Sequence, residues 1–271
     1  MGRAKKAKAT AGSVVLAERD LTVPGFAPAV EDTPVERAGR NLRKETPRSA
    51  HAEFTPAVDR PSVVDSVESA NEGRMASLIP LRVGRMAVSP FAFLRGSAGL
   101  MATDLAATPN TGLTAQLCGD AHAANFGVYG GSDGQIVIDI NDFDETVSGP
   151  WEWDLKRLAA SLVVAGREIG ASASNCFGAA FEAVGSYRKV LEVLASMPVL
   201  DAWRAVADEK FLAQVHARQM SGTLKAVAKK ARHKTSATFA AESTVRLGDG
   251  RWRFVADPPE LTEIPAEEAA R

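Results

Sequence analysis

A mostly helical α+β domain with short β-hairpins is what the sequence predicts, on three observations. Apolar residues recur at helical spacing through most of the middle of the chain, two segments alternate around glycine-rich turns, and the periods change over at CGDAHAANFG, residues 118–127. That stretch places Asp120, His122 and Asn125 within six positions, with glycines on both sides.

The elements follow in order. Residues 1–50 mix Lys, Arg, Ala, Pro and Glu with little periodicity and are expected to form a flexible arm, with room for a short helix between Pro34 and Pro47. The domain itself is expected over 51–256, followed by a Pro- and Glu-rich tail over 257–271, a candidate truncation point. From Ser62 to Arg82 apolar and acidic positions suit a helix, which Pro80 interrupts. Leu100, Met101, Leu105 and Ala106 predict a helix over about 96–107, before the turn TPNTG. LTAQLC then reads as a short strand leading to Asp120. FGVY and QIVIDI flank GGSDG as a hairpin. Beyond Pro150 and Glu152, both suited to a helix start, Leu155, Leu158, Ala159, Leu162, Val163, Gly166 and Ile169 form one apolar stripe. Two more helices are expected over 172–196 and 200–232, and a last hairpin, TVRLGDGRWRFV, turning at Gly248–Gly250.

Composition narrows the function classes. With 45% hydrophobic residues in 271, the chain can build a real core, and 32 basic against 33 acidic side chains supply no general field for nucleic acid or a membrane surface. No apolar run approaches the roughly 20 residues of a membrane span, and MGRAKKAKATAGS lacks the apolar stretch of a secretory signal, so a cytoplasmic location is expected. Cys118 and Cys176 are too far apart for a disulfide framework and are expected to be reduced and buried.

Charge is markedly uneven in the middle of the chain. Asp120, Asp133, Asp139, Asp142, Asp144, Glu145, Glu152 and Asp154 follow one another with no Lys or Arg among them. If several converge, their repulsion demands a cation, and hard oxygen donors with an Asn amide favour Mg²⁺, which arrives with phosphates. Asp133, inside GGSDG, reads as a turn residue. Asp120 and Asn125 precede the hairpin and Asp142 emerges from it, so the three side chains are expected at one end of a small sheet.

This arrangement resembles the catalytic region of protein kinases and, more closely, of aminoglycoside and choline phosphotransferases. The resemblance implies an ATP- and Mg²⁺-dependent transfer to an unidentified hydroxyl on a small molecule or protein. Asp120 would accept the hydroxyl proton, Asn125 and Asp142 would bind metal, and Asp154 would brace the loop through backbone hydrogen bonds. His122 would shape the loop. Asp139 stays open as the alternative to Asp142, and Asp144 is a second metal candidate. The longer string from LCGDAHAANFG through DINDFDETVSGPWEWDLKRLAASL, with PRSAHAEF, GRMAVSPFAFLRG and ATPNTG, resembles a bacterial family, domain of unknown function 2252, itself considered kinase-like. That implies a kinase-like catalytic lobe without a conventional N-terminal nucleotide lobe, whose glycine- and lysine-bearing strands would follow in a longer chain. Weak binding of Mg²⁺ and nucleotide is expected of this chain by itself. Arg85 and Arg95, flanking SPFAF, are candidate phosphate ligands, with a structural ion pair as the alternative. His51 belongs to the site only through the family resemblance.

Two other functions fit less of the pattern. Asp120-Ala-His122 has the opening form of a metal-dependent phosphoesterase, but only His216 and His233 follow, in helical surroundings. A non-catalytic binding or regulatory relative would keep the fold without the chemistry. The basic stretch KAVAKKARHK, residues 225–234, reads as a solvated helix face before a nucleic-acid contact.

Overall fold

The computed structural model describes residues 34–130, 136–205, 229, 236–258 and 261–264. Among these it is mostly helical, with three two-stranded antiparallel sheets, so the α+β class holds. No helix of the described residues is long and apolar enough to cross a membrane.

Helix α1, Pro34–Glu45, forms where a short helix was expected between the two prolines and buries no residue. Helix α2, Val63–Ser69, begins at a capping box in which Ser62 and Asp65 satisfy each other's backbone N–H groups. Helix α3 is Ile79–Met86. Pro80 therefore opens a helix instead of interrupting one, because a first-turn proline gives up an N–H that had no partner anyway. The helix expected over 96–107 forms as α5, Ala98–Ala106, and a further helix not read from the sequence, α4, Pro90–Gly96, capped by Ser89, stands before it. Gly96 ends α4 against α3, for a side chain there would run into Met86.

Strand β1, Thr114–Leu117, does not pair with the hairpin. Its partner is β4, Val147–Pro150, with Leu117 opposite Val147, and TVSGP had not been read as a strand. The expected hairpin is β2, Phe126–Gly130, with β3, Ile136–Ile140; its turn, with Asp133, lies outside the described residues. Pairing of β1 with β4 brings the chain entering the 118–127 motif beside the start of α6, Glu152–Glu168.

Helix α7, Ala173–Ser196, packs along α6, closely enough that a side chain at Gly166 would collide with Cys176 Sγ. Ile169, counted in the apolar stripe, is 84% exposed because α6 ends at Glu168. Trp151 packs on α7: its ring stacks on Tyr187 with centroids 5.9 Å apart, while Nε1 donates to Thr111 Oγ1 at 3.0 Å. Helix α8 is Val199–Arg204; the rest of the helix expected to 232, with His216, His233 and nearly all of the 225–234 stretch, lies outside the described residues. Helix α9, Ser236–Ser243, precedes the last hairpin, β5 Thr244–Arg246 and β6 Trp252–Phe254, which turns where expected.

The buried residues are unusual in kind. Met86, Leu105, Leu117, Cys118, Ala121 and Cys176 are joined by His122, Asn125, Glu152, Arg157 and Ser161. A centre this polar needs a partner for each group, and most of those partners lie in the 118–125 loop.

Candidate active site

The loop after β1 is held from one side by α6. Asp154 accepts from the backbone N–H of Cys118 at 2.7 Å through Oδ2 and of Gly119 at 3.0 Å through Oδ1. One turn on, Arg157 Nε donates to Asp120 Oδ1 at 2.7 Å. One further turn on, Ser161 Oγ accepts from Ala123 N at 2.9 Å. Positions 154, 157 and 161 share one face of a helix, so a single rigid element grips the loop at three successive points. From the opposite side the backbone of Glu145 presses on Gly119. Gly119 has φ +82°, and a Cβ there would collide with the Glu145 carbonyl, so both conformation and space require glycine.

The three motif residues take different positions. Asp120 engages Arg157 through Oδ1, and Oδ2 lies 3.4 Å from His122 Nε2. His122 is buried, edge-on to Phe91 at 6.2 Å, with Nδ1 left without a hydrogen-bond partner. Asn125 is buried as well. Its side-chain Nδ2 donates to the backbone carbonyls of Asp120 at 3.0 Å and Asp142 at 3.4 Å, while its backbone carbonyl accepts from Asn141 N at 2.8 Å. Asn125 thus ties the loop to the strand end beyond the hairpin. Cys118 sits underneath, its thiol pushed up from its ordinary range by burial, with the backbone hydrogen bond at Asp120 acting the other way.

Above the loop lies an open cleft of about 1080 Å³, which takes in Asp120, His122, Asn125, Asp142 and Asp144 on one wall. Its other wall, from the segment 73–98, carries Arg74, Arg82, Arg85 and Arg95. The cation that the acidic cluster lacked in sequence is therefore supplied in space. Burial and neighbouring Arg74 lower the Arg82 guanidinium from its ordinary value, and the Glu145 carboxylate opposes them. Arg82 also has a plain structural task, donating to Asn71 Oδ1 at 2.9 Å and to the Gly96 carbonyl at 2.8 Å.

The seven described carboxylates of the 120–154 stretch do not converge as a group. Asp120 pairs with Arg157, Asp154 takes backbone donors, and buried Glu152 Oε1 accepts from Thr111 N at 2.8 Å and Oγ1 at 2.6 Å, fastening the TPNTG turn. Among the described residues no three His, Cys, Asp or Glu side chains form a metal cage. What remains for a cation is the turn after β3. Asp142 and Asp144 are exposed there, joined by an Asp144 N–H to Asp142 Oδ1 contact of 3.3 Å. Asp139 stands opposite Gly127 in the hairpin, takes Ile140 N at 2.8 Å, and is outside the cleft. Two exposed carboxylates and a nearby Asn do not fit a closed zinc site. They fit Mg²⁺, which keeps water and phosphate among its ligands.

Arg157, Ser161, Arg74 and Arg82 were missed in sequence. For the first two a signal exists: Asp154, Arg157 and Ser161 recur at i, i+3, i+7 along α6, which sets the three on one face. The arginine wall is only partly local: Arg82 and Arg85 share α3 at i, i+3, while Arg74 precedes that helix and Arg95 lies at the end of α4.

Residues 74–271 match a family described as an uncharacterized protein conserved in bacteria, DUF2252. The chain belongs to this family. The match takes in the 118–125 loop and every cleft residue but Gly73, and leaves His51 outside. No curated protein and no solved structure matches the DUF2252 chain.

Proposed function

We propose that this DUF2252 protein is a kinase-like phosphotransferase that moves a phosphoryl group from ATP to a hydroxyl acceptor in the cleft between the arginine wall and the 118–125 loop. The observation that carries the proposal is the pairing of those walls: Arg85 and Arg95 face the same space as Asp120, Asp142 and Asp144. Phosphoryl transfer asks a protein chiefly for position and charge, and this cleft supplies cations for phosphate oxygens and carboxylates for a metal. Mg²⁺, held by Asp142 and Asp144, would offset the charge on the phosphates.

Asp120 is the group that takes the acceptor's proton. Arg157 occupies Oδ1, which leaves Oδ2, beside His122, to receive it. Asp154, Ser161 and Asn125 keep the loop in place so that the carboxylate does not reorganise when the acceptor arrives. Arg85 and Arg95 grip the triphosphate, with Arg74 and Arg82 completing the positive wall.

Calorimetry with ATP, with and without Mg²⁺, on the chain expressed in its natural reading frame tests this reading. Binding should require Mg²⁺ and fall about tenfold or more on replacing Arg95 by Ala. Asp120→Asn should leave binding in place and abolish ATP turnover. Absence of Mg²⁺-dependent nucleotide binding, or turnover unchanged in Asp120→Asn, overturns the proposal.

A further inference from the structure

We infer that Arg157 is a positioning residue that sets the separation of the two cleft walls as well as the orientation of Asp120. Its side chain is 3% exposed, yet its donors reach three other parts of the fold. Nε and a second guanidinium nitrogen hold Asp120 Oδ1. Nη2 also donates to the Leu94 carbonyl at 2.6 Å, and Nη1 approaches Met101 Sδ at 3.4 Å. Leu94 precedes Arg95 in the last turn of α4, so one planar group joins the loop that bears Asp120 to the turn that bears Arg95.

The chemistry of the side chain makes this specific. A guanidinium is a rigid fork with donors fixed in one plane, so satisfying Asp120 and the Leu94 carbonyl together fixes their relative position. A lysine keeps the charge but places a single compact ammonium at the end of a flexible stem and cannot span both acceptors in that geometry. A buried ion pair needed only for folding has no reason to end at a cleft, since a well-packed apolar pair serves stability as well or better. Here the carboxylate is 18% exposed and lines the cleft, while its partner is sealed behind it. Arg82 repeats the device on the neighbouring carbonyl of Gly96, so the end of α4 is held by two guanidiniums, only one of which reaches Asp120.

The catalytic half of this inference rests on the phosphotransferase reading; the mechanical half does not. The experiment compares wild-type chain with Arg157→Lys and Arg157→Met by amide hydrogen exchange and by steady-state ATP turnover. Exchange should quicken about tenfold in both the 119–125 loop and the 94–98 turn, while α7 amides stay as in wild type. In turnover, kcat should fall about 100-fold with KM for Mg²⁺·ATP nearly unchanged in Arg157→Lys, since the acceptor carboxylate is misaligned while the arginine wall remains. Arg157→Met, if it folds, should lose more. Quickened exchange confined to one of the two segments, or exchange unchanged in both, overturns the strut. A KM rise that accounts for the whole loss overturns the positioning of Asp120. If wild type binds no nucleotide, the phosphotransferase reading falls and the exchange result alone decides Arg157.

Discussion

Two segments that bring carboxylates to the cleft, one with Asp120 and one with Asp142, Asp144 and Glu145, lie about twenty residues apart and differ in almost every physical respect. In the 118–125 loop each polar group that α6 reaches is engaged: backbone donors by Asp154 and Ser161, the Asp120 carboxylate by Arg157. In the 141–145 turn Asp142, Asp144 and Glu145 are exposed, and the Asp142–Asp144 contact is local. Partners in the interior make the first segment rigid and costly to alter. Solvent makes the second cheap to alter and open to an incoming cation. A residue type repeated along a sequence thus performs two jobs, and its surroundings choose which.

The sharpest way to break this comparison is at Gly119. Gly119→Ala meets both a positive φ and the Glu145 backbone, so a loss of at least about 2 kcal/mol is expected, read as a drop in Tm. Gly112→Ala is the control, with φ +74° and open space around its Cβ; strain alone should cost it about 1 kcal/mol. Equal losses at the two glycines would mean that the Glu145 contact contributes nothing.

Asp154→Ala should come next. It strands the Cys118 and Gly119 N–H groups at about 1 to 3 kcal/mol each, and the half-buried setting of Asp154 favours the lower end. The same variant should speed alkylation of Cys118 at pH 8. Burial holds that thiol above its ordinary range, the thiolate is the reactive form, and a loosened loop admits water. An unchanged Tm with unchanged alkylation would remove Asp154 from the clamp.

The smallest effect on stability belongs to the exposed turn. Asp142→Asn combined with Asp144→Asn should move stability by no more than about 0.5 kcal/mol, while weakening any Mg²⁺-dependent ligand binding about tenfold. A large drop in Tm from this pair would erase the contrast between the segments.

How legible all this was depends on range. Caps, hairpins and helix starts are local: Ser62 with Asp65, Gly250 in the last turn, and Glu152 in the first turn of α6 announce themselves within a few residues, whereas Pro150, read as part of that helix start, ends β4 opposite Thr114. The loop motif belonged to the same class, because Asp120, His122 and Asn125 are sequence neighbours. Reading Pro80 as an interruption failed because a proline one position inside a helix and a proline that breaks one look alike until the boundary is known.

By itself, then, the sequence determined the α+β class, the strand that leads to Asp120, the hairpin after it and the helix that begins near Asp154, since each rests on periodicity or on one residue's backbone preference. Only the tertiary structure decided that β1 would pair with β4 across thirty-odd residues, that Arg157 would face Asp120, and that Arg74, the α3 pair Arg82 and Arg85, and Arg95 of α4 would line the cleft with Asp142 and Asp144. The reason is physical: an ion pair or a strand pairing between distant segments leaves no mark on the local period of either. Its free energy appears only once burial has removed the water that would otherwise solvate each partner separately.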